Sequence, residues 1–227
     1  MDSSHRAVDL ETAAAISAAL ALLFGLGACR GPAAKPVEPA LAVAAADAPV
    51  RVVEPVEPGD SLPELSFESI DGSTVPLASL RGRPTVIVFG SSTCPPFVRS
   101  VPLVLALERR FHGRVGFLLV YLEEAHPTDG WALPRNRFEV AQARSIEDRR
   151  AAADSFRAAM SIPFPVVLDS MSGEARRVFD AFPNRMAIVD GEGRIEHLGP
   201  PGPGSTLTSV RTAPDSLRSL LDASPKP

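Results

Sequence analysis

The sequence predicts an α/β domain with a mixed central sheet flanked by helices and a β-hairpin ahead of it. Three observations carry this. First, the runs Thr85-Val-Ile-Val-Phe89 and Val115-Gly-Phe-Leu-Leu-Val-Tyr-Leu122 are apolar and rich in β-branched and aromatic residues, as strands buried on both faces are. Second, Phe97, Val101, Val104 and Leu105 recur between them at helical spacing, so strand, helix and strand make a right-handed parallel crossover. Third, a further strand and helix, then two strands and a helix, follow in the remaining chain.

Taken in order, Leu65, Phe67 and Ile70 alternate with Glu64, Ser66 and Glu68, Asp71-Gly72 marks a tight turn, and Thr74-Val-Pro-Leu77 returns, giving the hairpin. Leu80-Arg-Gly-Arg-Pro84 leads into the central strand, and Gly90 to Thr93 form the turn after it. Pro95 and Pro96 suit the first helical turn, where a missing N–H leaves no broken bond. The stretch Glu123 to Arg144 is too polar and broken for core. Ser145-Ile-Glu-Asp148 resembles a capping box opening a helix that Phe156 and Met160 continue. Pro165-Val-Val-Leu-Asp169 is a short strand, followed by a helix over about Gly173 to Phe182. Met186-Ala-Ile-Val-Asp190 and Arg194-Ile-Glu-His-Leu198 flank a Gly191/Gly193 turn as a closing hairpin. After the loose Gly-Pro segment 199–204, Thr212-Ala-Pro-Asp215 is expected to start a last helix with Leu217, Leu220 and Leu221 inward. This order matches a thioredoxin-like fold.

Ahead of the domain the composition changes. Residues 13–26 form an apolar run too short for a membrane span of about 20 residues, but suited to a signal-peptide core. Leu26-Gly-Ala-Cys29 resembles a bacterial lipobox, which makes 1–28 a lipoprotein signal and Cys29 the lipidated residue. The leading segment departs from the pattern by carrying Asp2, Asp9 and Glu11 against Arg6 alone. Six of the 23 prolines lie between Pro32 and Pro58, which reads 29–58 as an extended tether to a domain at 59–227. The expectation is an exported protein of the cell envelope, held to the membrane by its lipid. A net charge of −4 gives no reason to expect nucleic acid.

The chemistry centres on Cys94. It lies where a buried strand turns into a helix, and unpaired N–H groups at a helix start favour a thiolate. Phe97 stands where a Cys-x-x-Cys motif would have its second cysteine, so Cys94 closes no internal disulfide and an oxidised sulfur must be restored by an outside thiol. The bland alternative is a small buried hydrophobe. In α/β sheets reactive groups collect at the carboxyl ends of parallel strands, which puts Cys94 and the segment Glu123 to His126 on one rim. His126 can serve as acid or base, against a solvated loop histidine. Glu124 can orient it or carry protons, against a solvated strand end, while Glu123 should point outward. Trp131 reads as packing, with stacking on an aromatic substrate as the alternative. Arg185, just before a strand, would favour a thiolate if it reached the sulfur, against a surface ion pair. The other histidines show no spacing with cysteine or carboxylate that would hold a metal, so no metal and no cofactor are expected.

Phe89-Gly-Ser-Ser-Thr-Cys-Pro-Pro-Phe97 and Tyr121-Leu-Glu-Glu-Ala-His-Pro-Thr-Asp-Gly-Trp131 together resemble the two signatures of the iodothyronine deiodinase family. Arg144-Ser-Ile-Glu-Asp-Arg149 and Val167-Leu-Asp-Ser-Met171 extend the resemblance to about residues 59–222. The resemblance implies reductive removal of iodine from aromatic rings. Cys94 would be the nucleophile, where animal members carry selenocysteine, with Thr93, Glu124 and His126 beside it. It also implies a small-molecule substrate, a thiol reductant as cosubstrate, and allows a homodimer. The chain departs from the family at three positions thought to grip the hormone: Ala143 for a histidine, Phe182 for an aromatic hydroxyl, and Pro201 for an arginine. Two competing readings are a one-cysteine thiol peroxidase and a tethered, non-catalytic binding lipoprotein.

Overall fold

A computed structural model describes residues 54–223. The expected signal, the lipobox Cys29 and most of the tether lie outside these residues. No helix among the described residues is long and apolar enough to cross a membrane.

The elements are β1 (Ser66–Ser69), β2 (Thr74–Pro76), a short 3-10 turn (Leu77–Leu80), β3 (Thr85–Gly90), α1 (Pro95–Phe111), β4 (Gly116–Tyr121), α2 (Ile146–Met160), β5 (Val166–Leu168), α3 (Glu174–Val178), β6 (Arg185–Val189), β7 (Ile195–Leu198) and α4 (Ser205–Ala223). They build one seven-stranded sheet in the order β2-β1-β5-β4-β3-β6-β7. β3 runs parallel to β4 and β4 to β5, while β6 and the hairpin strand β1 join antiparallel. The sheet is mixed, as the sequence predicts.

β3 sits at the centre with all six residues buried. Its side chains alternate between two cores, as the period of two in a strand requires. Val86 and Val88 pack with Phe97, Val101 and Val104 of α1, Phe156 of α2 and Leu217 of α4. Ile87 and Phe89 face the other way, onto Leu118, Val120, Val167 and Phe179. The Phe89 and Phe179 rings lie 4.7 Å apart. Helices cover both faces, so every strand in the middle of the sheet must be apolar on both sides. That is why β3 and β4 carry no alternation in hydropathy.

The start of α2 is the capping box that its sequence suggests. Ser145 Oγ accepts from the Asp148 N–H at 3.2 Å, and the Asp148 carboxylate accepts from the Ser145 N–H at 3.1 Å. Two helix boundaries differ from the sequence expectation. α3 stops at Val178 rather than Phe182, because the chain reverses after Phe179, with Asp180 at a left-handed φ of 43°, so that Arg185 can start β6 beside β3. α4 begins at Ser205 rather than near Thr212. Its first turn is held by a residue far away in sequence: Asn184 Oδ1 accepts from the Thr206 N–H at 3.1 Å and from Thr206 Oγ1 at 2.8 Å. Pro214 falls inside the helix rather than at its start, carried across by the buried face Val210, Ala213 and Leu217.

Candidate active site

The turn between β3 and α1 is held from several sides. Gly90 ends the strand where the ring of Phe97 closes over it; a Cβ there would lie 2.5 Å from Phe97 Cγ. Ser91, Ser92, Thr93 and Cys94 are all buried. Cys94 is the N-cap of α1, with Pro95 and Pro96 in the first turn. The placement at a helix start therefore follows the sequence reading.

Glu124 organises this turn. It is 4% exposed, and a buried carboxylate is costly unless its oxygens are satisfied. Four donors satisfy it. The Thr93 hydroxyl and N–H donate at 2.6 and 3.0 Å, Ser92 Oγ donates at 3.2 Å, and the Tyr121 hydroxyl donates to the other oxygen. Burial and the neighbouring carboxylate push the Tyr121 phenol well above its usual range, which keeps it a donor. The Thr93 hydroxyl also accepts from the His126 N–H at 3.0 Å, and Ser91 Oγ accepts from the Ala125 N–H at 3.3 Å. Asn136 Nδ2 donates to the Thr93 carbonyl at 2.9 Å, and the Glu124 N–H donates to Gln142 Oε1 at 2.9 Å. The polar segment 123–144 is thus laced to the turn that carries Cys94. Glu123 points elsewhere, paired with Arg176 at 2.5 Å.

The His126 ring lies on the outer side of this web. Its Nδ1 is 3.2 Å from the Trp131 carbonyl oxygen. A carbonyl only accepts, so Nδ1 carries a proton, and in the neutral ring Nε2 keeps the lone pair. The Trp131 ring meets His126 edge-on at 4.7 Å and is itself 74% exposed, so it is not core packing. No hydrogen bond joins His126 to Cys94 among the described residues.

The thiol departs from expectation. Cys94 is 1% exposed, and burial pushes its pKa above the ordinary thiol value. The Phe97 N–H, the Asn184 amide and the charge of Arg99 pull the other way, while Glu124 adds to the rise. The helix start favours a thiolate, but desolvation is the larger effect here. Arg185 is not the helper it was expected to be. Its guanidinium donates to the carbonyls of Gly199 at 2.7 Å, Phe179 at 2.6 Å and Asp180 at 3.2 Å, tying down the chain around β6. The cation whose field reaches the sulfur is Arg99.

Sequence reasoning missed Asn184 and Tyr121. Asn184 Nδ2 stands 3.4 Å from Cys94 Sγ and also donates to the Pro203 carbonyl at 2.8 Å. Its only signal was a polar residue entering an otherwise apolar strand. Tyr121 is the one tyrosine of the chain, at the buried end of a strand, where a phenol has to find a partner. Of the three departures from the family, Phe182 is largely exposed beside Arg176, Pro201 lies in an exposed turn, and Ala143 lines a separate surface cleft with Asp129 and Arg144. A different cleft, of about 510 Å³, opens between the first turns of α1 and residues 133–137. No group of three or more potential metal ligands occurs among the described residues.

The architecture is similar to known thioredoxin-like structures. A candidate protein disulfide isomerase from Bacteroides thetaiotaomicron matches with TM-score 0.53 and 18% identity, over 74% of this chain and 91% of that one. A candidate thiol:disulfide interchange protein from Chlorobium tepidum matches with TM-score 0.53 and 16% identity, over 73% and 99%. At such identities the likeness concerns the fold alone. In sequence, the type II iodothyronine deiodinase of Rattus norvegicus is 41% identical over 149 residues, which are 62% of this chain and 56% of that protein. The type II iodothyronine deiodinase of Homo sapiens is 38% identical over 168 residues, 70% and 61% respectively. The chain thus spans little more than half the length of these relatives. The iodothyronine deiodinase family model matches residues 45–217, most of the chain. With its thioredoxin-like fold, the chain belongs to the iodothyronine deiodinase family, whose members are oxidoreductases.

Proposed function

We propose that the protein is a thiol-dependent reductive dehalogenase of iodinated aromatic compounds, with Cys94 as nucleophile. One observation carries this reading beyond family membership. The segment 121–131, which ordinary redoxins lack, supplies the Glu124 carboxylate and Tyr121 hydroxyl that hold the Ser92–Thr93 turn in front of Cys94.

The chemistry balances as follows. The Cys94 thiolate attacks the ring iodine; the S–I bond forms as the C–I bond breaks, and the ring carbon keeps the bonding pair and takes a proton. A first external thiol then attacks the sulfur of the sulfenyl iodide, releasing iodide and a proton and leaving a mixed disulfide. A second thiol releases Cys94 and departs as the oxidised dithiol. The ring is reduced by two electrons and two thiols are oxidised. His126, with Nδ1 protonated and Nε2 unpartnered, is the group for proton traffic at this rim. Glu124 and Thr93 position the turn, and Arg99 with Asn184 stabilises the thiolate as it forms.

A second reading, the one-cysteine thiol peroxidase, is supported by Ala143, Phe182 and Pro201, none of which offers a polar side chain to a hormone. The full chain and its Cys94→Ser variant, given an iodotyrosine and excess dithiol, with hydrogen peroxide in parallel, separate the two. Iodide released by the parent and lost in Cys94→Ser supports the dehalogenase. Peroxide consumption that needs Cys94, with no iodide, replaces it with the peroxidase. We also keep export and lipidation at Cys29 as a proposal, resting on Leu26-Gly-Ala-Cys29 after an apolar run. Labelled palmitate fed to expressing bacteria should enter the parent and not Cys29→Ser; equal labelling would remove the anchor.

A further inference from the structure

Three guanidinium groups line one cleft beside the nucleophile turn, and none has a carboxylate partner. Arg99 projects from α1, and Arg135 and Arg137 from the opposite wall; no Asp or Glu lines the space. The ion pairs among the described residues all use other cations. Arg137 lies 5.3 Å over the Phe138 ring, a contact that leaves its charge uncompensated. In a chain of net charge −4, three unpaired cations around one cavity repel each other unless an anion enters.

The remaining wall is apolar, from Val98, Pro102 and Leu133, and the volume of about 510 Å³ suits a single aromatic ligand. The cleft adjoins the turn that carries Cys94. Pro95 in its wall directly follows Cys94, and Asn136 in its wall donates to the Thr93 carbonyl at 2.9 Å. A ligand whose anionic end lies among the arginines has room to lay its ring against Pro95, the residue that follows Cys94.

We propose that this cleft is the anion-recognising subsite of the enzyme and that its substrate is a halogenated aromatic acid, held by its carboxylate between Arg99, Arg135 and Arg137. This rests on the dehalogenase reading. It also gives this chain its own grip on a substrate, in a cleft that none of Ala143, Phe182 and Pro201 lines.

The test is equilibrium binding to full-length chain carrying Cys94→Ser, which cannot turn over, using 4-hydroxy-3-iodobenzoate, the matching benzamide and inorganic phosphate. The acid should bind about tenfold tighter than the amide. Each arginine removed should weaken the acid about threefold, the scale of a partly exposed ion pair, and leave the amide unchanged. Arg135→Gln is the cleaner variant, because Arg99 also acts on the thiol. Both arginines are exposed, so neither substitution touches the core. Equal binding of acid and amide, acid binding indifferent to Arg135→Gln and Arg99→Gln, or phosphate competing as strongly as the aromatic acid would each overturn the proposal. Iodide release by the parent that is the same for acid and amide also removes the subsite while leaving the dehalogenase. Arginine-dependent acid binding without any iodide release removes the dehalogenase and leaves the subsite.

Discussion

The backbone at the start of α1 favours a thiolate at Cys94, and the burial of its sulfur disfavours one by more. The thiol is therefore protonated at neutral pH, and its reactivity should climb with pH. Alkylation of Cys94 by iodoacetamide is expected to rise about tenfold per pH unit from 7 to 9 without levelling off, since only the thiolate reacts. A plateau by pH 7 would show a depressed pKa instead. The neighbours move this profile in opposite directions. Asn184→Ala removes a donor that stabilises the thiolate, so the profile should shift to higher pH. Glu124→Gln removes a negative charge that opposes it, so the profile should shift to lower pH even as stability falls. Both shifts are read from alkylation rates against pH, and a purely structural role for either residue would not produce them.

At the level of elements, the site depends on how closely α1 approaches β3. Gly90 leaves room for Phe97, which fills the core between α1 and α2. Gly90→Ala places a methyl group inside the Phe97 ring, so we expect about 1–3 kcal/mol loss of stability in urea unfolding, the usual cost of overpacking. Unchanged stability would mean that α1 can shift. Thr93→Val tests the link between the turn and the loop 123–131. It leaves Glu124 short of the Thr93 hydroxyl donor and the His126 N–H without an acceptor, each costing about 1–3 kcal/mol if unrepaired.

These elements were unequally legible in the sequence. The strands, the first hairpin and the capping box at Ser145 could be read because local pattern decides them. α4 could not be bounded, because Asn184, some twenty residues upstream, supplies the acceptor for its first turn. α3 was overextended because apolar spacing continues to Phe182, whereas the chain has to turn back after Phe179. The placing of Cys94 at a helix mouth was legible, but not its burial, which comes from packing between elements. Arg185, which would favour the thiolate if it reached the sulfur, is held instead by three carbonyls around β6.

At the scale of the whole molecule, the sheet brings the ends of β3 and β4 together, and the sequence that follows each strand builds half of one site. β3 delivers the turn that carries Cys94, and β4 delivers Tyr121, Glu124 and the loop that carries His126. Cys94 is the one cysteine among the described residues and none of them offers a resolving thiol, so each catalytic event should oxidise Cys94 once and stop until another thiol arrives. The measurement that bears on this most directly is a single turnover: full-length chain given an excess of an iodinated aromatic acid, with no reductant present. Deiodinated ring should appear to one equivalent per chain, Cys94 should become inert to alkylation in step with it, and added dithiol should restart the reaction. Deiodinated product formed while Cys94 stays alkylatable, or formed equally by Cys94→Ser, would contradict a mechanism built on this sulfur.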